Sequence, residues 1–264
     1  MNPNTPSLLS SKSRLGRRYG WHRDLPDHRD RLCMAFMPPA ALPPHVDLRG
    51  PNMPAVYDQE ELGSCTANAI AAALEFDRLR QKLPNFMPSR LFIYFNERAM
   101  EGTIHSDCGA QIRDGIKSVA TNGDCPESEW PYNPPLFAVK PPAPCYAHAV
   151  QHKAVNYARV PQFPASIQSC LAAGFPVVFG FTVYAGFEGD AVAQTGVLNL
   201  PQPHEANLGG HAVLAVGYDL PSQRLLVRNS WGVKWGQQGY FTMPFAYAAN
   251  PNLASDFWQI QLVS

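Results

Sequence analysis

Apolar residues recur at helical spacing in the first half of the chain and gather into short strand-like runs in the second. Residues 69 to 81 contain no Gly or Pro and are rich in Ala and Leu, which favours helix. Pro84 marks its stop. Pro88 to Met100 predicts a second helix, with Leu91, Phe92, Phe95 and Ala99 on one face. Gly109 to Thr121 predicts a third, ended by Asn122-Gly123. From about Lys153 the pattern changes. Pro176 to Val183, His211 to Tyr218, Arg224 to Arg228, Tyr240 to Met243 and Phe257 to Val263 are β-branched or aromatic runs separated by turn residues. Helices followed by strands predict an α+β architecture, two lobes with a cleft between them. No internal repeat interrupts this division.

Composition narrows the picture. A chain of 264 residues, 45% hydrophobic, buries a sizeable core in one large domain or two lobes. Its 21 basic and 21 acidic side chains balance, so nothing electrostatic points to a nucleic-acid polymer or a membrane surface. No apolar run approaches the ~20 residues of a membrane helix, and the N-terminus lacks the apolar core of a secretory signal. The compartment stays open, cytoplasmic or reached by another export route.

Residues 1–45 stand apart. They hold seven of the 26 prolines and seven Lys/Arg against three Asp/Glu, while the rest of the chain carries 14 against 18. Opposite net signs, +4 and −4, let this arm lie on the body, although composition alone predicts a disordered basic tail. Leu32, Met34, Phe36 and Met37 form an apolar cluster that seeks burial, just before a Pro-rich hinge at 38–44. Lys12, Arg14, Arg17 and Arg18 read as solvated charge or as a seat for an anionic regulator.

Candidate chemistry centres on Cys65. The six cysteines (33, 65, 108, 125, 145 and 170) include no CxxC pair and no zinc-like spacing, which predicts mostly reduced thiols with one or two unassigned disulfides. Cys65 follows the turn Gly63-Ser64 and falls in the first turn of a helix. Unpaired backbone N–H groups and the positive end of the helix dipole favour a thiolate there. A buried packing cysteine is the other reading. Gln59, six residues upstream, offers an amide donor to an oxyanion. Far downstream, His211 opens a strand beside Gly209-Gly210, and the next strand delivers Asn229-Ser230-Trp231-Gly232. A carboxamide there can accept from one imidazole nitrogen and leave the other facing sulfur, with Trp231 shielding that bond.

These stretches resemble the papain-like cysteine peptidases: Gln59 and Cys65 at their spacing, Gly-His211-Ala-Val, and Asn229-Ser-Trp-Gly-x-x-Trp235-Gly-x-x-Gly239-Tyr. Val46-Asp47-Leu48-Arg49 resembles the usual start of the mature enzyme. The resemblance spans 46–264 and implies a papain-like fold. A mainly helical left lobe (46–150) would carry the nucleophile, and an antiparallel β-barrel-like right lobe (151–264) the His and Asn. It implies an endopeptidase working through a thiolate–imidazolium pair and an acyl-enzyme. Cys65 would be nucleophile, His211 general base and then acid, Asn229 orienter, Trp231 shield, and Gln59 with the Cys65 N–H the oxyanion hole. It also implies polypeptide substrates, cystatin-like or epoxide-type inhibitors, a monomer, and neither cofactor nor metal.

Some positions depart from the family pattern. Leu62 stands where the family has a disulfide-forming cysteine, and Thr66 where it has a Trp beside the nucleophile; neither change touches the reacting groups. The family's substrate-binding strip maps onto Asp107-Cys108-Gly109-Ala110, with Gly210 opposite. Asp256 maps to the floor of the S2 pocket, a solvated loop aspartate being the alternative. The arm is too short for a long helical pro-domain and is expected to cross the cleft and lower activity. A Cys–His acyltransferase or amidase, and a catalytically silent peptidase-like binding protein, are the competing classes. The first is not expected to combine Gln59 with the long Asn-Ser-Trp motif, nor the second to keep every reacting group.

Overall fold

The computed structural model describes residues 16–34, 38 and 41–264. In chain order the elements are β1 (Trp21–His22), β2 (His45–Asp47), α1 (Cys65–Arg80), α2 (Arg90–Glu101), β3 (Ala110–Gln111), α3 (Ile112–Thr121), α4 (Ala143–Ala149), β4 (Ala154–Arg159), α5 (Pro164–Ala172), β5 (Val177–Tyr184), α6 (Asp190–Thr195), β6 (Asn207–Asp219), β7 (Arg224–Arg228), β8 (Tyr240–Pro244), α7 (Phe245–Ala249) and β9 (Ala254–Val263). Helices dominate before residue 150 and antiparallel strands after it.

α1 is the central helix, and fourteen of its sixteen residues are buried, so it has no wet face. α1 lies against β6 and β9, its Ala71-Ala72-Ala73 run keeping it thin, and Ile70 and Leu74 are fully buried, Ile70 against Gly115 of α3. Each of those two contributes roughly 1.5–3 kcal/mol by burial. α2 begins where the Ser89 hydroxyl accepts from the Phe92 N–H at 3.2 Å and ends at Gly102 in the left-handed region. Leu91, Phe92 and Phe95 are buried as their spacing predicts, but Ala99 is exposed. The third helix starts at Ile112, because Gly109 takes φ +82° and Ala110–Gln111 is extended.

Seven strands form one sheet in the order β4-β9-β5-β6-β7-β8, with β2 also paired to β6. All its pairings are antiparallel. The sheet is open, not closed into a barrel: β4 and β8 are its edges. β6 reaches back four residues further than its apolar run suggests, since Asn207, Gly209 and Gly210 pair with β5 despite carrying no bulky apolar side chain. His211 therefore sits inside the strand rather than at its mouth. β9 likewise begins before its apolar run, so Asp256 lies on a strand, with φ +60°.

The described part of the arm lies on this body. Arg17 pairs with Asp58 at 2.7 Å and Arg18 with Asp107 at 3.4 Å. β1 runs parallel to β3 with Trp21 opposite Ala110. Further on, Arg113 grips Asp30 at 2.6 Å, and Arg159 reaches Asp24 and Asp30. The arm is thus held by its acids as well as its bases. The expected apolar anchor is corrected in part: Leu32 and Met34 are exposed, because backbone pairing with Arg159 turns them outward. Phe36 and Met37, like Lys12 and Arg14, fall outside the described residues.

Candidate active site

Cys65 opens α1, and its first turn is braced by polar side chains. The Asn68 amide donates to the Ser64 carbonyl at 2.9 Å, and Gly63 N–H donates to Asp107 at 3.0 Å. Tyr132 reaches in from 73 residues away and donates to the Gln59 carbonyl at 2.8 Å, its oxygen also 2.6 Å from the Ser64 hydroxyl. This loop is stitched to the sheet by Gln59 N–H to Ser230 carbonyl and Gly232 N–H to Tyr57 carbonyl, each 2.9 Å. Those bonds tie the Cys65 side of the chain to the strand that delivers Asn229.

His211 Nε2 lies 2.8 Å from Asn229 Oδ1. That oxygen also accepts the Ser230 N–H at 2.8 Å, which fixes the amide the right way round. An amide oxygen only accepts, so Nε2 carries the proton and Nδ1 presents a lone pair. Nδ1 is buried and has no hydrogen-bond partner among the described residues. The backbone N–H of Ala212, the residue after His211, lies against the Cys65 sulfur together with those of Gly20 and Thr66. Trp231 covers the pair, its ring centre 5.2 Å from the imidazole. The Gln59 carboxamide is oriented by the Ser230 hydroxyl, which donates to Oε1 at 2.6 Å and leaves Nε2 as the donor end.

No part of this centre is open to solvent. Cys65, His211 and Gln59 are fully buried, and Asn229 nearly so. The cover is the arm. Gln59 Nε2 donates to the Leu62 carbonyl at 3.0 Å and to the arm's Arg18 carbonyl at 3.4 Å. The Ala110 N–H donates to the Gly20 carbonyl at 2.8 Å, and the His22 ring bonds the Cys108 carbonyl. A Cβ on Gly109 would meet the Gly20 oxygen at 2.0 Å, so a glycine is required for this close approach. The Trp21 indole rests over Gly180 and Gly210, where added Cβ atoms would meet its ring at 1.9 Å and 2.6 Å. Burial pushes the Cys65 thiol up to about 12, against the smaller lowering by the Ala212, Gly20 and Thr66 N–H groups. Burial also takes His211 down to about 4, its bond to Asn229 opposing and Arg17 assisting.

Most sequence candidates converge here: Gln59, Cys65, His211, Asn229 and Trp231 at the centre, with Cys108, Gly109 and Gly210 lining the path of the arm. Asp256 is set apart. It is 3% exposed, pairs with Arg159 at 2.9 Å and accepts the Asp24 N–H at 2.8 Å, which rules out a solvated loop aspartate. Sequence reasoning missed Tyr132, the bracing role of Asp107 within the quoted strip, and the role of Ser230. Ser230 lay within a quoted motif; Tyr132 gave no signal, because its partners are remote in sequence. It also missed Tyr19-Gly20-Trp21, the segment that meets the sulfur. A separate cluster, Cys125, Glu129 and Cys145, brings three donor atoms within 4.8 Å of one another, the one such group among the described residues.

The fold and this constellation are those of the papain-type cysteine proteases. Residues 42–257 match the family model described as "Papain family cysteine protease", and the chain belongs to that family. It is 44% identical over 277 residues to the peptidase C1-like protein L477 of Acanthamoeba polyphaga mimivirus, covering 96% of this chain and 89% of the relative. Among solved structures it is similar to xylellain, a cysteine protease from Xylella fastidiosa, at 44% identity and TM-score 0.89, covering 97% of this chain and 99% of the other. Digestive procathepsin L 3 of Tenebrio molitor shares the fold at 19% identity and TM-score 0.68, covering 97% of this chain and 77% of that one.

Proposed function

We propose that this peptidase is a latent endopeptidase whose residues 17–22 must leave the cleft before it turns over. Once uncovered, the Cys65 sulfur attacks the substrate carbonyl, with Gln59 Nε2 and the Cys65 N–H receiving the developing oxyanion. His211 Nδ1 takes the thiol proton and returns it to the leaving amine. It then deprotonates the water that hydrolyses the acyl-enzyme. Asn229 holds the imidazole tautomer and Trp231 keeps water from that bond. Cys108, Gly109 and Gly210 border the strip on which a substrate backbone would lie, and Asp256 stands behind the Arg159 side chain rather than in the open.

The observation that carries this reading is the buried, unpartnered Nδ1 lone pair, set by the 2.8 Å bond to Asn229, one residue from the N–H that touches the Cys65 sulfur. Latency is supported by the Arg18 carbonyl on Gln59 and the Gly20 N–H on the sulfur. The test compares full-length protein with residues 46–264 on a fluorogenic peptide library. The truncated form is expected to cleave faster and to lose all cleavage on stoichiometric labelling of Cys65 by an epoxide. Equal turnover by the two forms would end the latency reading. Cleavage that survives labelling would end the assignment of Cys65. Product analysis with an added amine separates hydrolysis from acyl transfer.

A further inference from the structure

None of the six cysteines is in a disulfide, yet one pair joins the arm to the body. Cys33 Sγ lies 3.8 Å from Cys170 Sγ, 137 positions further along the chain. Backbone bonds hold Cys33 in place: its N–H donates to the Arg159 carbonyl at 2.7 Å, and Arg159 N–H donates to the Arg31 carbonyl at 2.7 Å. From the body side, Cys170 is fixed within α5, buried in the sheet core. The Cys33 thiol also donates to Gln259 at 3.0 Å. Its neighbours Leu32 and Met34 are exposed, so a small reagent has a short way to the sulfur. The Cys170 thiol beside it holds the Cys33 thiol below its ordinary range.

We propose that Cys33 and Cys170 form a disulfide that fastens the arm across the cleft, so that release of the arm requires reduction as well as displacement or cutting. The proposal rests on the latency reading above. The oxidant is a low-molecular-weight disulfide, RSSR. The Cys33 thiolate attacks it, forming a mixed disulfide and expelling RS⁻, which takes up the proton Cys33 released. Cys170 then loses its proton and attacks Cys33 Sγ, expelling the second thiolate as RSH. The protein dithiol is oxidised by two electrons and RSSR is reduced to two RSH. Closing from contact to a bond of about 2.0 Å asks for side-chain rotation at the two residues. A tethered arm faces the cleft at an effective concentration on the order of millimolar, so a cut in the hinge at 38–44 no longer frees it.

The test uses the full chain, with a site for a specific protease inserted between Pro38 and Pro43. Protein equilibrated in glutathione buffers of graded ratio is alkylated, digested without reduction and mapped. A linked peptide pair carrying Cys33 and Cys170 is expected in wild type and absent from Cys33→Ser and Cys170→Ser. After the hinge is cut, oxidised wild type is expected to keep its arm on non-reducing gel filtration. Its turnover is expected to rise at least tenfold on dithiothreitol treatment, beyond any rise in cut Cys33→Ser, which reports oxidation at Cys65. No linked peptide at any ratio overturns the proposal at the bond. A linked peptide without a dithiothreitol effect beyond the Cys33→Ser control overturns it as a lock. Turnover of uncut, reduced Trp21→Ala then places the fault: a rise over wild type keeps latency standing, and no rise puts the failure there.

Discussion

Trp21 is the arm residue whose removal should most clearly open the cleft. It is 5% exposed, with its indole over Gly180 and Gly210, and it becomes solvated when the arm lifts. A buried Trp hides ~200 Å², which at ~25 cal/mol per Å² is about 5 kcal/mol of docking energy. Against this, the indole N–H has no partner among the described residues, a loss of about 1–2 kcal/mol. The net is about 3 kcal/mol, so Trp21→Ala should raise the undocked fraction by roughly 100-fold or more, until the rate of arm-free protein is reached. The assay is the initial rate on a fluorogenic peptide for full-length wild type, Trp21→Ala and residues 46–264, with melting temperatures alongside. Trp21→Phe, which keeps an aromatic ring and drops the orphaned N–H, should rise far less. An unchanged rate for Trp21→Ala beside a fast 46–264 protein would refute the assignment of docking energy to this indole.

Three other expectations follow from the geometry. Gln59→Ala in arm-free protein should lower kcat by ~10²–10³ with little change in KM, as expected for loss of one oxyanion donor; steady-state kinetics check it. Latency should weaken as pH rises. Asp24 is raised to about 6 in the docked arm, chiefly by burial and then by Asp256, with the Arg113 N–H and Trp258 opposing, and Arg159 and Asp30 also facing it. A raised carboxyl favours the docked state below the ordinary value near 4, and that contribution is lost as pH climbs through 6, so the full-length to arm-free rate ratio should increase from pH 4 to 7 and flatten in Asp24→Asn. Asp256→Ala should move the ratio of P2-Arg to P2-Phe cleavage by less than about tenfold, because Arg159 already matches the charge; a larger loss of Arg cleavage would show the carboxylate open to substrate.

The candidate reacting groups could be named from sequence because each sits in a stretch whose chemistry is local: a turn leading into a helix for Cys65, a strand followed by a carboxamide for His211 and Asn229. The division into helices and strands was legible for the same reason. What the sequence hid was long-range. The length of β6 depends on pairing of Gly209 and Gly210 with β5, so periodicity alone put His211 at the wrong place in its strand. Tyr132 and Asp107 act through partners 68 and 44 residues away. The arm shows the limit most clearly. Hydrophobicity pointed to residues 32–37, yet the segment over the sulfur is Tyr19-Gly20-Trp21, where two aromatic residues flank a glycine thin enough to pass between Gly63 and Gly109.

On the latency reading, the arm acts on the chemistry and not only on access. Burial is the largest cause of the shift at both Cys65 and His211, raising one to about 12 and lowering the other to about 4. Between those values the proton stays on sulfur and the imidazole stays neutral, which is the unreactive form of the pair. Lifting residues 17–22 admits water, and burial weakens at both sites. At Cys65 the N–H groups of Ala212 and Thr66 still lower the thiol, with the first turn of α1 acting in the same sense and Glu97 opposing. At His211 the bond to Asn229 remains, and it raises the imidazole. Both residual effects favour moving the proton from sulfur to ring. On the latency reading, the segment proposed to block the substrate path also keeps the Cys65 thiol protonated, and one displacement relieves both.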